Sequence, residues 1–374
     1  MYIFNLHELY SRIYKVREKM KEKDISALLI TEPENITYLT DFFTAGYNTS
    51  FQFVILTFNY DPIIVTRHAE RYWVENRTPF NKHVYYWYDG ESKTEVTLRV
   101  IQSLGLKKEK IGFEGLSWRS PFSYISSLKQ HLNHLVDIKN LVNEVRFIKS
   151  ENEINLMRQA GVIAEEMMNE GLNSIYPNVS EREIAANIAK TEVLKGSDWS
   201  RTGPISSGEA AKHIHASYSN KKITNNDTVF LEVTPQVYNY HARFMRTIAI
   251  GEVDKNFIDF SKRLIEIQDQ ALDQVKSGVH CHVPDEIYRK GILDTGVVNH
   301  YHNKTFYSVG MMMMPNSFEP LEVDTKSDFI FREGMTFHSY IVVGGFSISE
   351  TIAVTETGYE RLTNFKRDLL NIYS

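Results

Sequence analysis

Cysteine is nearly absent: Cys281 is the one thiol in 374 residues, which excludes an intramolecular disulfide and any zinc site built from several thiolates. A metal at this stage would have to draw on His and carboxylate ligands. Long apolar runs are missing too, since no segment approaches the roughly 18 consecutive apolar residues of a membrane span. Neither sign of charge prevails: 42 Lys and Arg stand against 47 Asp and Glu, for a formal charge of -5, which argues against nucleic acid as a partner. Glycine-rich phosphate loops, a His-Glu-x-x-His helix and a Gly-x-Ser-x-Gly elbow are lacking, and several common enzyme classes go with them. There is also no short repeat, low-complexity tract or Gly/Ser linker.

What is present is a composition of 42% hydrophobic and 24% charged residues, close to that of chains that fold throughout. The length suits two domains. Arg12, Lys15, Arg17, Lys19, Lys21 and Lys23 lie among apolar residues at helical spacing before the short run Ala27 to Ile30. That pattern predicts an amphipathic helix feeding a strand and not a signal peptide, so cytoplasmic residence is the default expectation.

Between Ser26 and Asp137, strand patterns near Ala27 to Ile30, Phe53 to Phe58, Ile63 to Thr66, Val84 to Trp87 and Ile111 to Phe113 alternate with helical stretches. This predicts an α/β domain with a mixed sheet. From Ser150 the character changes. Glu151 to Leu172 and Ser180 to Leu194 have helical periodicity, and Ser150 with Glu153 has the spacing of a capping box. Strand-like runs follow at Val229 to Val233, Tyr238 to Ile250, Phe306 to Met314, Met335 to Val343 and Ile348 to Thr355, with helices at Lys255 to Val275 and Asp285 to Leu293. The second domain is therefore expected to be α+β, with the boundary at Val145 to Ser150.

Several stretches, in order, resemble the creatinase, prolidase and methionine aminopeptidase superfamily. They are Pro33, Asn35, Ile36, Tyr38 and Leu39; Val145, Arg146, Lys149, Ser150, Glu151, Glu153, Met157, Arg158 and Ala160; Gly203 to Ser207, His215, Asp227 and the Arg246-Thr247 pair; then Gly334-Met335 and Glu350 to Gly358. The resemblance implies a pita-bread catalytic domain over residues 146–374, preceded by a smaller creatinase-type α/β domain over residues 1–145. The superfamily's metallopeptidases hold two metal ions with two Asp, one His and two Glu. Aligned on these landmarks, the five positions fall at Glu232, Arg243, Tyr307, Tyr340 and Glu350. Two carboxylates remain and one position has become a cation that repels metal, so no metal and no other cofactor is expected. In this respect the chain resembles the metal-free branch, creatinase and ectoine hydrolase, which cleave C–N bonds of small amidine or guanidine compounds. The ectoine hydrolase branch is similar at Tyr240-His241-Ala242, Tyr307 to Gly310, Pro315 to Glu319 and Gly334 to His338.

The resemblance implies roles for individual residues. His215 stands where the family has a catalytic or substrate-binding histidine, and imidazole suits proton transfer near neutrality; the plainer alternative is a surface histidine, with His213 on the same face of an extended segment. Glu350 and Glu232 would hold a planar nitrogen-rich cation, or simply form buried ion pairs with Arg246 or Arg243. Arg243 would take a substrate carboxylate. Tyr307 and Tyr340 would donate hydrogen bonds, with His338 and His241 as further substrate contacts and Trp199, just before the Arg201-Thr202-Gly203-Pro204 stretch, as a stacking surface. Packing is the alternative for each of these aromatic residues. Met311 to Met314 would line both faces of a strand.

Met245 replaces the creatinase glutamate before the Arg-Thr pair, and Thr49 aligns near the arginine that creatinase uses for its substrate's carboxylate, so creatine fits poorly. The expected activity is metal-independent hydrolysis of a small amidine, guanidino or cyclic amidine compound such as ectoine. A Xaa-Pro dipeptidase with an altered metal site and a non-catalytic binding protein are the alternatives. Two-domain members dimerise, so a homodimer is expected, with Tyr47, Asn48 and Arg67 near the neighbouring active site.

Overall fold

The computed structural model describes residues 3–200 and 202–372. The chain divides into two compact units, Met1–Arg146 with Met313–Ser317, and Phe147–Met312 with Phe318–Ser374. The architecture is α+β.

In the first unit, α1 (Leu6–Glu22) leads to β1 (Ala27–Ile30), α2 (Pro33–Thr40), β2 (Phe53–Thr57), β3 (Ile63–Arg67) and α3 (Arg71–Arg77). Then come β4 (Val84–Trp87), α4 (Lys93–Ser103), β5 (Ile111–Phe113), α5 (Phe122–Lys129), β6 (Leu135–Asp137) and α6 (Leu141–Arg146). The strands form one mixed sheet in the order β4-β3-β2-β1-β5-β6, in which β1 pairs antiparallel with β2 and parallel with β5. One face buries Leu29, Phe53 and Val65 against Val100 of α4 and Leu128 of α5. The segment at 313–317 belongs here because Glu34 and Glu32 hold it: the Met313 amide donates to Glu34 Oε1 at 2.8 Å and Asn316 Nδ2 to Glu32 Oε1 at 2.6 Å.

The second unit opens with α7 (Glu151–Asn173) and α8 (Glu181–Leu194). Ser150 and Ser180 each close a capping box, with Glu153 and Glu183 as reciprocal partners, which satisfies helix N–H groups that have no intrahelical acceptor. Strands β7 (Ile205–Ser207), β8 (Thr228–Val233), β9 (Gln236–Val237), β10 (Tyr240–His241) and β11 (Phe244–Ile250) precede α9 (Lys255–Leu272) and α10 (His282–Asp294). The remainder is β12 (Phe306–Ser308), β13 (Glu322–Val323), β14 (Thr336–Val343), β15 (Phe346–Val354), β16 (Tyr359–Arg361) and β17 (Leu370–Ile372). The main sheet runs β13-β12-β14-β15-β11-β8-β7, with β16 on β15 and β17 on β11. Two helix pairs bury different parts of it. Met167 of α7 and Ile188 of α8 pack with Leu231 and Ile248, while Leu264 of α9 and Tyr288 of α10 pack with Phe337 and Ile352.

Two strand expectations are corrected. Tyr238 to Ile250 is not one strand, because Tyr238 and Asn239 adopt φ of +50° and +65° and turn the chain between β9 and β10 as a two-residue hairpin. The strand at Phe306 ends at Ser308, and Met311 to Met314 do not alternate across a sheet: Met311, Met312 and Met313 are all buried and Met314 is exposed. Pro315, which has no N–H for a ladder, and the bonds to Glu34 and Glu32 carry this segment away from the sheet.

Candidate active site

Glu232, Tyr307, His338, Tyr340 and Glu350 lie on strands of the second unit's main sheet, and Arg243 immediately precedes β11. Glu232 on β8 faces Met245 in the register with β11. The Arg243 guanidinium donates to Glu232 Oε1 through Nε at 2.7 Å and also through Nη2. Burial opposes the Arg243 charge, but Glu232 outweighs it and holds the pKa above its ordinary value. Backbone bonds to Thr351 in both directions, at 2.9 and 2.8 Å, fix the start of β11. Gly203 packs on the other side, with φ +75°, where a Cβ would stand 2.4 Å from the Glu232 carbonyl oxygen. Only glycine fits that approach.

Tyr307 on β12 lies opposite His338 on β14, and Tyr340 follows on the same face of β14. Their rings form one cluster: Tyr307 is 4.9 Å from His338 and 5.6 Å from Tyr340, and His338 stacks on Tyr340 at 5.6 Å. The Arg243 guanidinium lies 5.6 Å from the Tyr307 ring centroid. Burial raises both phenol pKa values, and burial followed by the charge of Arg243 pushes His338 well below its usual range. All three side chains are therefore neutral near pH 7. Among the described residues both His338 nitrogens are buried without a hydrogen-bond partner. Buried polar groups normally are paired, so an unpaired imidazole between two tyrosines and beside an ion pair is suited to a polar ligand.

Glu350 is engaged differently. Its Oε1 accepts from Arg246 at 2.7 Å and Arg367 at 3.0 Å, its Oε2 accepts from Thr363 at 2.7 Å, and it is fully buried. Both buried carboxylates thus form the ion pairs that were their plainer alternative. His241 is buried, with Nδ1 2.7 Å from the Gly310 carbonyl. Trp199 is half-buried, its Nε1 3.5 Å from Asn239 Oδ1, and Arg201 lies outside the described residues. His215 is exposed at φ +69° after a 3-10 turn. The segment is not extended, so His213 and His215 do not share a strand face. Among the described residues no hydrogen bond, ion pair or ring contact joins His215 to the other candidates. In the first unit Tyr47 is buried, Asn48 accepts from Arg119, and Arg67 pairs with Asp89.

The metallopeptidase family M24 profile matches residues 155–356, and the creatinase/prolidase N-terminal domain profile matches residues 12–148. The chain belongs to metallopeptidase family M24. An uncharacterized hydrolase/peptidase of Sinorhizobium fredii is 28% identical over 390 residues, covering 98% of each chain. The ectoine hydrolase of Halomonas elongata is 24% identical over 392 residues, again 98% of each. The solved Xaa-Pro dipeptidase from Bacillus anthracis superposes with a TM-score of 0.85 at 22% identity, over 97% of this chain and 100% of that one. The fold of this M24 member is thus the two-domain, pita-bread one.

The residues that the family landmarks put at the five metal positions do not fit a pair of metal ions. One is a guanidinium, two are neutral phenols, and both remaining carboxylates already accept from cations. Divalent ions need anionic or imidazole donors with free lone pairs. Reasoning from sequence missed Arg367 and Thr363, which complete the Glu350 network, and Lys304, whose Nζ lies 4.2 Å from the Phe318 ring centroid and 5.5 Å from that of Tyr307. Nothing local in the sequence marks these partners.

Proposed function

We propose that this M24 member hydrolyses a C–N bond in a small amidine, guanidino or cyclic amidine compound, with ectoine or a relative as substrate, and that it does so without a catalytic metal. The observation that carries the reading is the neutral cluster of Tyr307, His338 and Tyr340, in which both His338 nitrogens lack a hydrogen-bond partner among the described residues, next to the Arg243–Glu232 pair. A cyclic amidine with a carboxylate is a planar cation with an anionic end. Glu232 complements the amidinium and Arg243 the carboxylate, while the phenols and the imidazole hold the ring and donate to charge developing at the attacked carbon.

In the reaction, a water oxygen bonds to the amidine carbon, the C–N bond breaks, and the proton taken from water goes to the leaving nitrogen. His215 is assigned this transfer on the strength of its family position. Glu350 acts through its arginines as a positioning residue. The enzyme is assigned as a homodimer, with Tyr47, Asn48 and Arg67 on the side facing the neighbouring site.

The test incubates chelator-treated full-length protein with ectoine, creatine and a Xaa-Pro dipeptide and follows products by mass spectrometry. Turnover of ectoine or a relative supports the reading. Cleavage of the dipeptide alone, lost on chelation and restored by Mn²⁺, would replace it with a dipeptidase, and the absence of turnover on all three would leave a binding protein.

A further inference from the structure

His280, Cys281 and His282 place their ligand atoms within 4.8 Å of one another. The two imidazoles are stacked, with centroids 5.0 Å apart and planes at 15°. Cys281 is buried beneath them, its Sγ 3.5 Å from the Ser327 carbonyl, and both histidines are half-buried and open to solvent. This tripeptide caps and begins α10, an element other than the strands that carry Glu232, Tyr307 and Tyr340.

The backbone holds the three residues firmly. The Cys281 amide donates to the Phe329 carbonyl at 3.0 Å, and His280 bridges to Ile330. His280 Nε2 lies 2.9 Å from Asp328 Oδ1. A carboxylate only accepts, so Nε2 carries the proton and Nδ1 keeps its lone pair. The His282 amide, 3.3 Å from Nδ1, agrees with that tautomer. A carboxylate behind a histidine is the arrangement that orients an imidazole toward a metal and raises its basicity.

We propose that His280, Cys281 and His282 bind one borderline divalent cation of the zinc class, with Asp328 orienting His280 from behind. One thiolate and two imidazoles suit Zn²⁺ and disfavour Mg²⁺ or Ca²⁺, which take oxygen ligands. Zn–S near 2.3 Å and Zn–N near 2.0 Å require the ligand atoms to close in by roughly 1–1.5 Å, a change within reach of the two half-exposed imidazoles. The Sγ–H proton leaves to solvent as the Sγ–metal bond forms. Bound there, the ion clamps the start of α10 to the segment around Phe329. Metal found with this protein would then sit at α10 and say nothing about the catalytic strands.

The experiment titrates chelator-stripped full-length protein with Co²⁺, whose thiolate charge-transfer absorption reports a Co–S bond, and then displaces it with Zn²⁺. The expected result is one equivalent of Co²⁺ with that absorption, abolished by Cys281→Ser and by His282→Asn and unchanged by His300→Asn in the neighbouring stacked pair His300 and His302. Asp328→Asn is expected to weaken binding roughly 10- to 100-fold. If Cys281→Ser does not fold, His280→Gln and His282→Asn decide the matter. Absence of the charge-transfer band, or a band that survives His282→Asn, overturns the proposal.

Discussion

Replacing Arg243 by Gln removes the cation from a pair whose carboxylate, Glu232, is only 2% exposed. At an effective dielectric of about 20 and the 2.7 Å Nε to Oε1 separation, the gross attraction is about 6 kcal/mol. Desolvation offsets part of this in the intact pair, but the single variant leaves a buried charge unmatched, which costs about 3–5 kcal/mol. For a unit of this size each kcal/mol moves Tm by about 2–4 °C, so Arg243→Gln is expected to lower it by roughly 6–20 °C. The Glu232→Gln/Arg243→Gln double variant carries no buried charge and is expected to recover most of that loss, for a coupling energy above about 2 kcal/mol. Calorimetry on the wild type, both single variants and the double variant measures the cycle. A single variant within about 1 kcal/mol of wild type, or a double variant no better than the single, would refute the pairing.

Other substitutions test other parts of the structure. His338→Phe keeps the stack on Tyr340 but removes both unpartnered nitrogens; stability should stay within about 1 kcal/mol while turnover falls, and unchanged kinetics would remove His338 from the site. Gly161→Ala sets a Cβ 1.8 Å from the Leu362 carbonyl oxygen and should cost about 1–3 kcal/mol or more, whereas Gly358→Ala, with nothing within 4 Å, should be close to neutral in the same urea titration. In the first unit, burial raises Glu114 to about 7 and Asp41 to about 6. Their folded pKa values exceed the unfolded ones, so the native state binds more protons and stability is lost as pH rises through the window from about 4 to 7. Between pH 6 and pH 8 the Glu114 contribution should fall by about 1 kcal/mol. Hydrogen exchange of amides in β1 and β5 reads it, and an unchanged free energy across that range would contradict the assignment.

Sequence reading reached those elements whose determinants are local. The capping box at Ser150 and Glu153, the periodicity of α7 and the apolar runs of β1 and β5 are each written within a few residues. It did not find the break at Tyr238 and Asn239, because tyrosine rarely takes positive φ and only the asparagine hinted at a turn. Strand β6, with three residues, is too short to show alternation. At the site, family landmarks pointed to Arg243, Tyr307 and Tyr340 as candidates, but not to their neighbours. Glu350 meets Arg246 across 104 residues and Arg367 across 17, and pairings of that range depend on sheet register. Contiguous ligand types at His280, Cys281 and His282 were visible as letters, yet only the stacked rings and Asp328, brought in from 48 residues away, make them converge.

Metal-free catalysis is tested most directly by measuring ectoine turnover with the His282→Asn variant after exhaustive chelation, since that protein lacks the α10 cluster as well as any loosely held ion. Turnover equal to that of untreated wild type is the expected result. Turnover that disappears on chelation and returns with added Mn²⁺ would contradict it and return Glu232 and Glu350 to the role of metal ligands.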